Sequence, residues 1–301
     1  MGAPDVSAKL VMQLRASSGL SMMKCKEALV ACDGDFEKAI DWLRKKGLEM
    51  AAKKGDRVMK EGRVALVAAP DGRSAVMVQV DCETEPVSGG PDFQALVAGV
   101  LAATQKAYAA KGPGAVPAAD VLALPYKTGE TVDLALKGLI ARIGENMALR
   151  RAAAFAGDGR VGSYLHFNSK VGVLAELAGP AKALASADAT AFLADLGKHV
   201  AFAKPTSVAR GEVAKELVDK ELEIYREQAK QDPKMASKPA PVVEKILLGK
   251  LDKFYADTCL LEQPWVMDDK LTVKSVLEAA SKKAGGAMSI RRFALFQVGG
   301  A

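Results

Sequence analysis

The stretch "GRVALVAAPDGRSAVMVQVDC", residues 62–82, has two alternating apolar runs on either side of a Pro-Asp-Gly triplet. This pattern predicts a β-hairpin, because a period of two places the apolar side chains on one face and the triplet favours a tight turn. A second stretch, "GRVGSYLHFNSKVGVLAELAG", residues 159–179, has the same form, with Asn-Ser-Lys at its turn. Both predicted hairpins begin with Gly-Arg-Val, which indicates that one structural unit occurs twice.

The segments around the hairpins support this internal duplication. An alanine-rich helical pattern follows each hairpin, at residues 92–112 and 188–205. A further helix is predicted over 131–147, and strands are predicted over 149–156 and 289–299, whereas residues 111–130 are rich in Pro and Gly and are interpreted as a connection. The predicted fold class is therefore α+β, with two related halves that each pack a helix on an antiparallel sheet.

Helical patterns also precede and interrupt the two halves. Three short helices are predicted near the N-terminus, ending at Gly19, Gly34 and Gly47, and a polar helix-like stretch follows. Two charged helices separated by "DPKMASKP" predict a helical hairpin that projects from the core. The predicted segments are a three-helix module at 1–55, a first core half at 56–157, a second core half at 158–206 and 257–301, and the helical hairpin at 207–256.

Composition restricts the class of protein. The net charge of +6 comes from 42 basic and 36 acidic residues, and no basic stripe alternates with aromatic residues, so we expect no nucleic-acid partner. The apolar runs are too short to span a bilayer, and the first residues resemble neither a signal peptide nor a transit peptide, so we expect no membrane partner. None of the four cysteines forms a C-x-x-C pair, which is typical of a reducing compartment.

Two patterns that could indicate a cofactor or a metal have simpler interpretations. A G-x-G-x-x-G match at residues 157–162 precedes a predicted strand, whereas a dinucleotide site requires a helix there, so we interpret it as a glycine turn and expect no cofactor. His166 and His199 are the only histidines, and neither has a cysteine at ligand spacing, so we expect no metal site. By spacing alone, each histidine is a core or surface hydrogen-bonding group.

The stretch "VDCETEPVSGG", residues 80–90, leaves several interpretations open. Glu83 and Glu85 lie two residues apart and would share one face of a strand, where they could act as an acid and base pair. A metal loop, a solvated strand end, and a turn pressed against a partner are the alternatives. The sequence contains no P-loop and no G-x-S-x-G elbow, and this favours a binding protein over an enzyme.

The chain resembles the elongation factor Ts family over nearly its whole length. The resemblance rests on "LVMQLRASSGLSMMKCKEALVACDGDFEKAIDWLRKKGLEMAAKK", "EGRV", "VDCETEPV", "IGENMALRRAA", "VGSYLHFNSKVGVL", "KHVAFAKP", "EQPWVMDDKLTV" and "IRRFALFQVG", in family order. It implies a guanine nucleotide exchange factor that binds the GTPase elongation factor Tu, disturbs its Mg²⁺ and phosphate site, and promotes release of GDP for exchange with GTP. The bacterial cytoplasm is the implied location, with a mature mitochondrial or plastid form as the alternative.

The resemblance also implies which residues bind the partner. The N-terminal module is similar to a ubiquitin-associated three-helix fold that docks on the GTPase. The helical hairpin is similar to a coiled-coil dimerisation insert, which implies a homodimer or a dimer of heterodimers. The implied partner-binding residues are Met22, Met23, Lys26, Thr84, Glu85, Pro86, Val87, Ile143, Gly144 and His166.

The chain departs from the family pattern at two of these positions, Glu85 and Pro86. The family has Thr-Asp-Phe-Val where this chain has Thr84-Glu85-Pro86-Val87, so the aromatic wedge beside the magnesium site is replaced by proline. We expect this change to weaken the disturbance of magnesium, since proline has a fixed φ and cannot fill the same pocket. One alternative is a homologue that binds the GTPase with weak or no exchange activity, and another is that Phe93 supplies the wedge after a loop shift.

Overall fold

The computed structural model describes residues 6–127, 129–232 and 238–300, and the other positions of the predicted segments lie outside the described residues. In the described residues, the helices and strands are α1 Ala8–Ser18, α2 Met22–Ala31, α3 Phe36–Lys54, β1 Glu61–Ala68, β2 Ser74–Cys82, α4 Glu85–Gly89, α5 Pro91–Tyr108, β3 Pro113–Val116, α6 Ala118–Leu122, β4 Pro125–Lys127, β5 Glu130–Thr131, α7 Val132–Ile143, β6 Met147–Ala156, β7 Arg160–Leu165, β8 Val171–Ala178, α8 Ala181–Leu184, α9 Ala187–Ala203, α10 Lys215–Gln231, α11 Ala240–Thr258, β9 Pro264–Trp265, β10 Asp268–Thr272, α12 Val273–Ala284 and β11 Ser289–Gln297.

The three N-terminal helices form because each begins with a side chain that caps its free N–H groups. Ser7, Ser21 and Asp35 accept hydrogen bonds from the backbone of α1, α2 and α3, respectively. The prediction that the third helix ends at Gly47 is wrong, because α3 continues to Lys54. A Cβ placed on Gly47 would lie 3.1 Å from the Cβ of Ala141 in α7, so this glycine permits close packing of two helices and does not end one.

The first sheet has the strand order β1-β2-β6-β3 and is antiparallel throughout. It confirms the first hairpin and the strand predicted over 149–156. The interpretation of residues 111–130 as a connection is wrong in part, since β3 is a short edge strand of this sheet and α6 follows it. Gly112 precedes β3 and Gly114 lies within it, and their φ angles are +52° and +91°. Glycine adopts these angles readily, so the segment contains glycines, as loops do, although it forms a strand.

The second sheet has the order β11-β8-β7 and is also antiparallel. It confirms the second hairpin and the final strand, and the glycine-rich match at residues 157–162 leads into β7, as predicted. Helix α9 begins at its Ser186 cap and packs on β7 and β8, and α12 packs on α9. The described residues therefore form a mixed α+β fold in which helices cover antiparallel sheets.

The two sheets face each other across a shared apolar layer. This layer is formed by Val64, Ala75, Met77, Ala153, Phe155, Val161, Leu174, Phe296 and Val298. Strand β2 is buried on both faces, because Met77 points into this layer while Val76 and Val78 pack in a second core with α5 and α7. Gly172 lies where the sheets approach closely, since a Cβ there would be 2.6 Å from Val64 Cγ1 and 2.8 Å from Met77 Sδ.

Helices α10 and α11 contact each other and bury few side chains. Ala229 is the buried residue of α10, and Leu247 is that of α11. The chain enters and leaves this segment at one place, where Ser207 pairs with Cys259 and the Leu260 N–H donates to the Ser207 carbonyl at 2.9 Å. Among the described helices, none combines the length and the apolar character that a bilayer crossing requires.

The structure confirms that His199 is a hydrogen-bonding group in the core. It is fully buried on α9, and its Nε2 lies 3.0 Å from Gln263 Oε1. Its ring stacks on Trp265 with 5.0 Å between the ring centroids. Burial lowers the pKa of His199, although the hydrogen bond with Gln263 acts in the opposite direction.

Candidate functional site

The predicted partner-binding stretch after β2 forms a short helical turn. Strand β2 ends at Cys82, and α4 follows with Pro86 in its first turn. Proline is compatible with this position because the first N–H groups of a helix have no intrahelical acceptor. The prediction that Glu83 and Glu85 share one face of a strand is therefore wrong. We call residues 83–88 the exchange turn, after the role that the family resemblance implies for this stretch.

One side of the exchange turn is held by the segment that follows α7. Glu145 accepts two hydrogen bonds from Thr84, one from the backbone N–H at 3.1 Å and one from the hydroxyl at 2.7 Å. Glu83 accepts from the Asn146 N–H at 2.5 Å and lies 3.5 Å from a nitrogen of Arg57. Glu83 is thus occupied by structural contacts and does not form an acid–base pair with Glu85.

The other side of the turn is held through β1. Arg63 donates to the Ser88 carbonyl at 3.4 Å and to the Ser169 hydroxyl at 3.2 Å, and so it joins the exchange turn to the second hairpin. Within that hairpin, the Ser169 N–H donates to the His166 carbonyl at 2.8 Å. The exchange turn and the hairpin turn therefore lie next to each other, although they are far apart in the sequence.

His166 lies in the hairpin turn and not in a strand, since β7 ends at Leu165. Its ring is half-buried, and Nδ1 lies 2.8 Å from the Tyr164 hydroxyl in a hydrogen bond. The neighbouring Phe167 is 90% exposed, and the two ring centroids are 4.5 Å apart. The turn therefore presents an aromatic side chain to solvent beside a histidine whose orientation is fixed by Tyr164.

Ile143 and Gly144 end helix α7 beside the exchange turn. Ile143 is half-buried against the core of the first half. Gly144 has φ +90°, and its N–H closes the helix on the Ile140 carbonyl, so the left-handed cap explains the glycine at this position. The Gly144 carbonyl accepts a hydrogen bond from Lys54 Nζ, which joins the end of α3 to the end of α7.

The N-terminal module presents its predicted residues at the start of α2. Met22 is 39% and Met23 75% exposed, and Lys26 is also exposed. This end of α2 is held on α7 because Lys24 Nζ donates to the Ala141 carbonyl at 3.1 Å. The structure therefore attaches the exposed methionines to the same helix whose last residues flank the exchange turn.

The remaining predicted residues divide into exposed and packed groups. Glu85 and Pro86 are exposed at the tip of the exchange turn, as is Thr84. Val87 is half-buried and packs on the first core. Phe93 is fully buried on α5 in that same core, so the alternative in which it forms a wedge does not agree with its position here.

Burial controls the ionisation of the groups beneath the exchange turn. Burial raises the pKa of the Cys82 thiol to about 12, with a further contribution from the negative charge of Glu145. Burial also raises the pKa of Asp81, against an opposing hydrogen bond from Gln79. Cys82 is therefore a protonated thiol at neutral pH, and its Sγ donates to the Thr84 carbonyl at 3.4 Å.

Several residues that shape this site were not identified as site residues from the sequence. They are Arg57, Arg63, Glu145, Asn146 and Ser169. Arg63 belongs to the repeated Gly-Arg-Val, and Glu145 and Asn146 follow the predicted Ile143-Gly144 pair. For Arg63, Glu145 and Asn146 the signal was a position in or beside a motif, whereas Arg57 had no such signal.

Known proteins resemble this chain over nearly its whole length. A family model described as "Elongation factor TS" matches residues 83–300. Elongation factor Ts of Maricaulis maris (strain MCS10) is 43% identical, with 98% of this chain and 92% of that protein covered. Elongation factor Ts of Clostridium botulinum (strain Eklund 17B / Type B) is 39% identical, with 98% and 93% covered. That of Nitratidesulfovibrio vulgaris (strain DP4) is 39% identical, with 98% and 96% covered. The chain therefore belongs to the elongation factor Ts family.

Proposed function

We propose that this chain docks on elongation factor Tu with the start of α2, the exchange turn and the His166 turn, and that docking weakens the hold of the GTPase on Mg²⁺ and GDP. The family to which the chain belongs consists of nucleotide exchange factors for elongation factor Tu in translation elongation, and not of catalytic enzymes. The proposal adds the residues by which this chain acts.

The observation that carries the proposal is the double anchoring of the exchange turn. Glu145 holds Thr84 on one side and Arg63 holds Ser88 on the other, so Glu85 and Pro86 project from a fixed base. A fixed projection can favour a distorted nucleotide site on the GTPase. The factor by which its binding then lowers the nucleotide affinity equals the factor by which bound nucleotide lowers the affinity for the exchange factor. Shifting a nearly full site to nearly empty needs a preference of about 5.5 kcal/mol, which requires several contacts.

Within this proposal, Pro86 makes the projection less effective than an aromatic residue would. Its ring is small and exposed in the first turn of α4. Phe93 cannot replace it without leaving the core, and removing a buried phenylalanine from a core costs about 3–5 kcal/mol. We therefore expect this chain to bind the GTPase but to weaken its hold on Mg²⁺ less than a chain with an aromatic residue at this position would.

The domain roles are part of the same proposal. Residues 1–55 act as a ubiquitin-associated-like docking module, and the core halves at 56–157 and at 158–206 with 257–301 carry the exchange turn and the His166 turn. Residues 207–256 act as an inserted helical hairpin, which is supported by the meeting of its two ends at Ser207 and Cys259. We further propose that this hairpin mediates a homodimer or a dimer of heterodimers, and that the protein acts in the bacterial cytoplasm.

Release of a fluorescent GDP from elongation factor Tu, followed by stopped flow, tests the proposal. We expect wild type to accelerate release and Pro86→Phe to raise the maximal rate by about tenfold to a hundredfold, since burial of the added ring at the interface contributes about 1.5–3 kcal/mol. Pro180→Phe is a matched control, because Pro180 is also exposed at the start of a short helix, α8.

The outcomes separate the two candidate functions. Equal maximal rates for wild type and Pro86→Phe would contradict the role given to Pro86. A wild type that binds the GTPase without accelerating release would establish the alternative, a binding homologue with weak or no exchange activity.

A further inference from the structure

The exchange turn cannot keep its shape through its own helix. Helix α4 spans only five residues, and a helix of this length has too few internal hydrogen bonds to offset the cost of nucleation. Thr84 stands at the N-cap position, where its hydroxyl would ordinarily accept from the first turn, but its side chain makes no capping hydrogen bond. Its hydroxyl points instead to Glu145 Oε1 at 2.7 Å.

Glu145 is well placed to act as the external support. It follows Gly144, the left-handed cap of α7, so its backbone begins at the end of a packed twelve-residue helix. Both carboxylate oxygens are used on one residue, since Oε2 accepts from the Thr84 N–H and Oε1 from the Thr84 hydroxyl. Hydrogen bonds to a carboxylate are roughly twice as strong as neutral ones, and two from one residue also fix its orientation.

The hydrogen bond that joins β1 to the opposite end of the turn is longer. Arg63 reaches the Ser88 carbonyl at 3.4 Å, compared with 2.7 and 3.1 Å for the two bonds of Glu145. Thr84, which lies next to Glu85 and Pro86, is therefore oriented by Glu145, while Asn146 and Arg57 hold Glu83 before it.

We propose that Glu145 is a positioning residue for nucleotide exchange, which acts through Thr84 to aim Glu85 and Pro86 at the GTPase. This inference deepens the proposed function and rests on it. Glu145 is not a contact for the nucleotide or for magnesium. Its effect is on where the exchange turn points, so its loss changes the efficiency of the bound complex more than the formation of that complex.

The test measures GDP release from elongation factor Tu over a range of concentrations of the full chain. We expect Glu145→Ala to lower the maximal release rate by about tenfold while the half-saturating concentration changes by less than about twofold. A general loss of folded protein would instead reduce the active fraction, which thermal melting of the free variant measures separately.

Three further variants distinguish positioning from a general requirement for the carboxylate. Glu145→Gln should retain most of the rate, because its amide oxygen can accept from the Thr84 N–H while its NH₂ donates to the Thr84 hydroxyl. Thr84→Val removes the hydroxyl bond and should lower the maximal rate. Glu145→Ala combined with Thr84→Val should be no slower than Glu145→Ala alone, since both remove one shared interaction.

Glu278→Ala is the matched control, because Glu278 is exposed on α12 in the second half and its replacement should leave the rate unchanged. A wild type that does not accelerate release would defeat the proposed function itself. An active wild type with Glu145→Ala at the same maximal rate would overturn the positioning role alone. If Glu145→Ala does not fold, a folded Thr84→Val with the wild-type maximal rate would overturn it equally.

Discussion

Asn146 offers a sharp test of how the candidate site is held together. It is only 4% exposed, and its side-chain amide donates to the carbonyls of Arg57 at 3.0 Å and Gly55 at 3.3 Å. Its backbone N–H also donates to Glu83, so one residue joins the end of α3, the end of α7 and the exchange turn. Replacement of this side chain should loosen the link between the end of α3 and the end of α7, while the backbone bond to Glu83 remains.

The size of the effect follows from these bonds. Asn146→Ala removes two neutral hydrogen bonds of about 1 kcal/mol each, so we expect a loss of about 2 kcal/mol in the free energy of unfolding. Asn146→Asp keeps the shape but replaces the donor with a second acceptor that faces two carbonyl oxygens near the Glu83 carboxylate. The nearly isosteric aspartate should therefore be more destabilising than alanine, by about 1–2 kcal/mol at neutral pH.

Equilibrium urea unfolding at pH 7, followed by circular dichroism, measures both variants against wild type. We expect the free energy of unfolding to decrease in the order wild type, Asn146→Ala, Asn146→Asp. An aspartate variant as stable as wild type would refute the donor role of the amide. An alanine variant within about 0.5 kcal/mol of wild type would show that the two bonds do not contribute to folding.

Two other predictions concern the core. Gly172→Ala should destabilise the chain by about 1–3 kcal/mol, because the added methyl lies within 3 Å of Val64 and Met77 between the sheets. Gly249→Ala in α11, where no described atom lies within 4 Å of the added methyl, should instead stabilise it by about 0.5–1 kcal/mol, and equal melting shifts for the two variants would contradict the sheet contact. Because burial lowers the pKa of His199 below its unfolded value, the unfolded state binds the extra proton, and stability should fall as pH decreases below about 6.5. His199→Gln should show a shallower fall between pH 7 and pH 5 in urea unfolding, and parallel curves would exclude this contribution.

The chain itself contained enough information for most of the secondary structure. Period-two apolar runs with turn residues between them are local signals, and they located β1 with β2 and β7 with β8 correctly. The predictions were wrong where a tertiary contact, and not the local sequence, determined the conformation of a segment. Gly47 resembles a helix end in the sequence but lies inside α3, because α7 packs against it. Residues 113–116 have the composition of a loop but pair with β6, because a sheet edge was available.

The candidate site was predicted less completely than the fold. Resemblance to the family directed attention to Glu85, Pro86 and His166, and it predicted that proline stands where the family has an aromatic residue. It could not show that Glu83 is engaged with Asn146, or that Glu145 and Arg63 hold the two ends of the exchange turn. Each of these contacts joins segments at least 25 residues apart.

The sequence by itself determined the family and the order of the main helices and strands, because these depend on local patterns and on motifs along the chain. Only the tertiary structure decided that the two sheets pack face to face, that Phe93 is buried in the core, and that Thr84 is bound by Glu145. The physical reason is that burial and hydrogen bonding are satisfied by whichever groups folding brings together, and sequence separation does not reveal these partners.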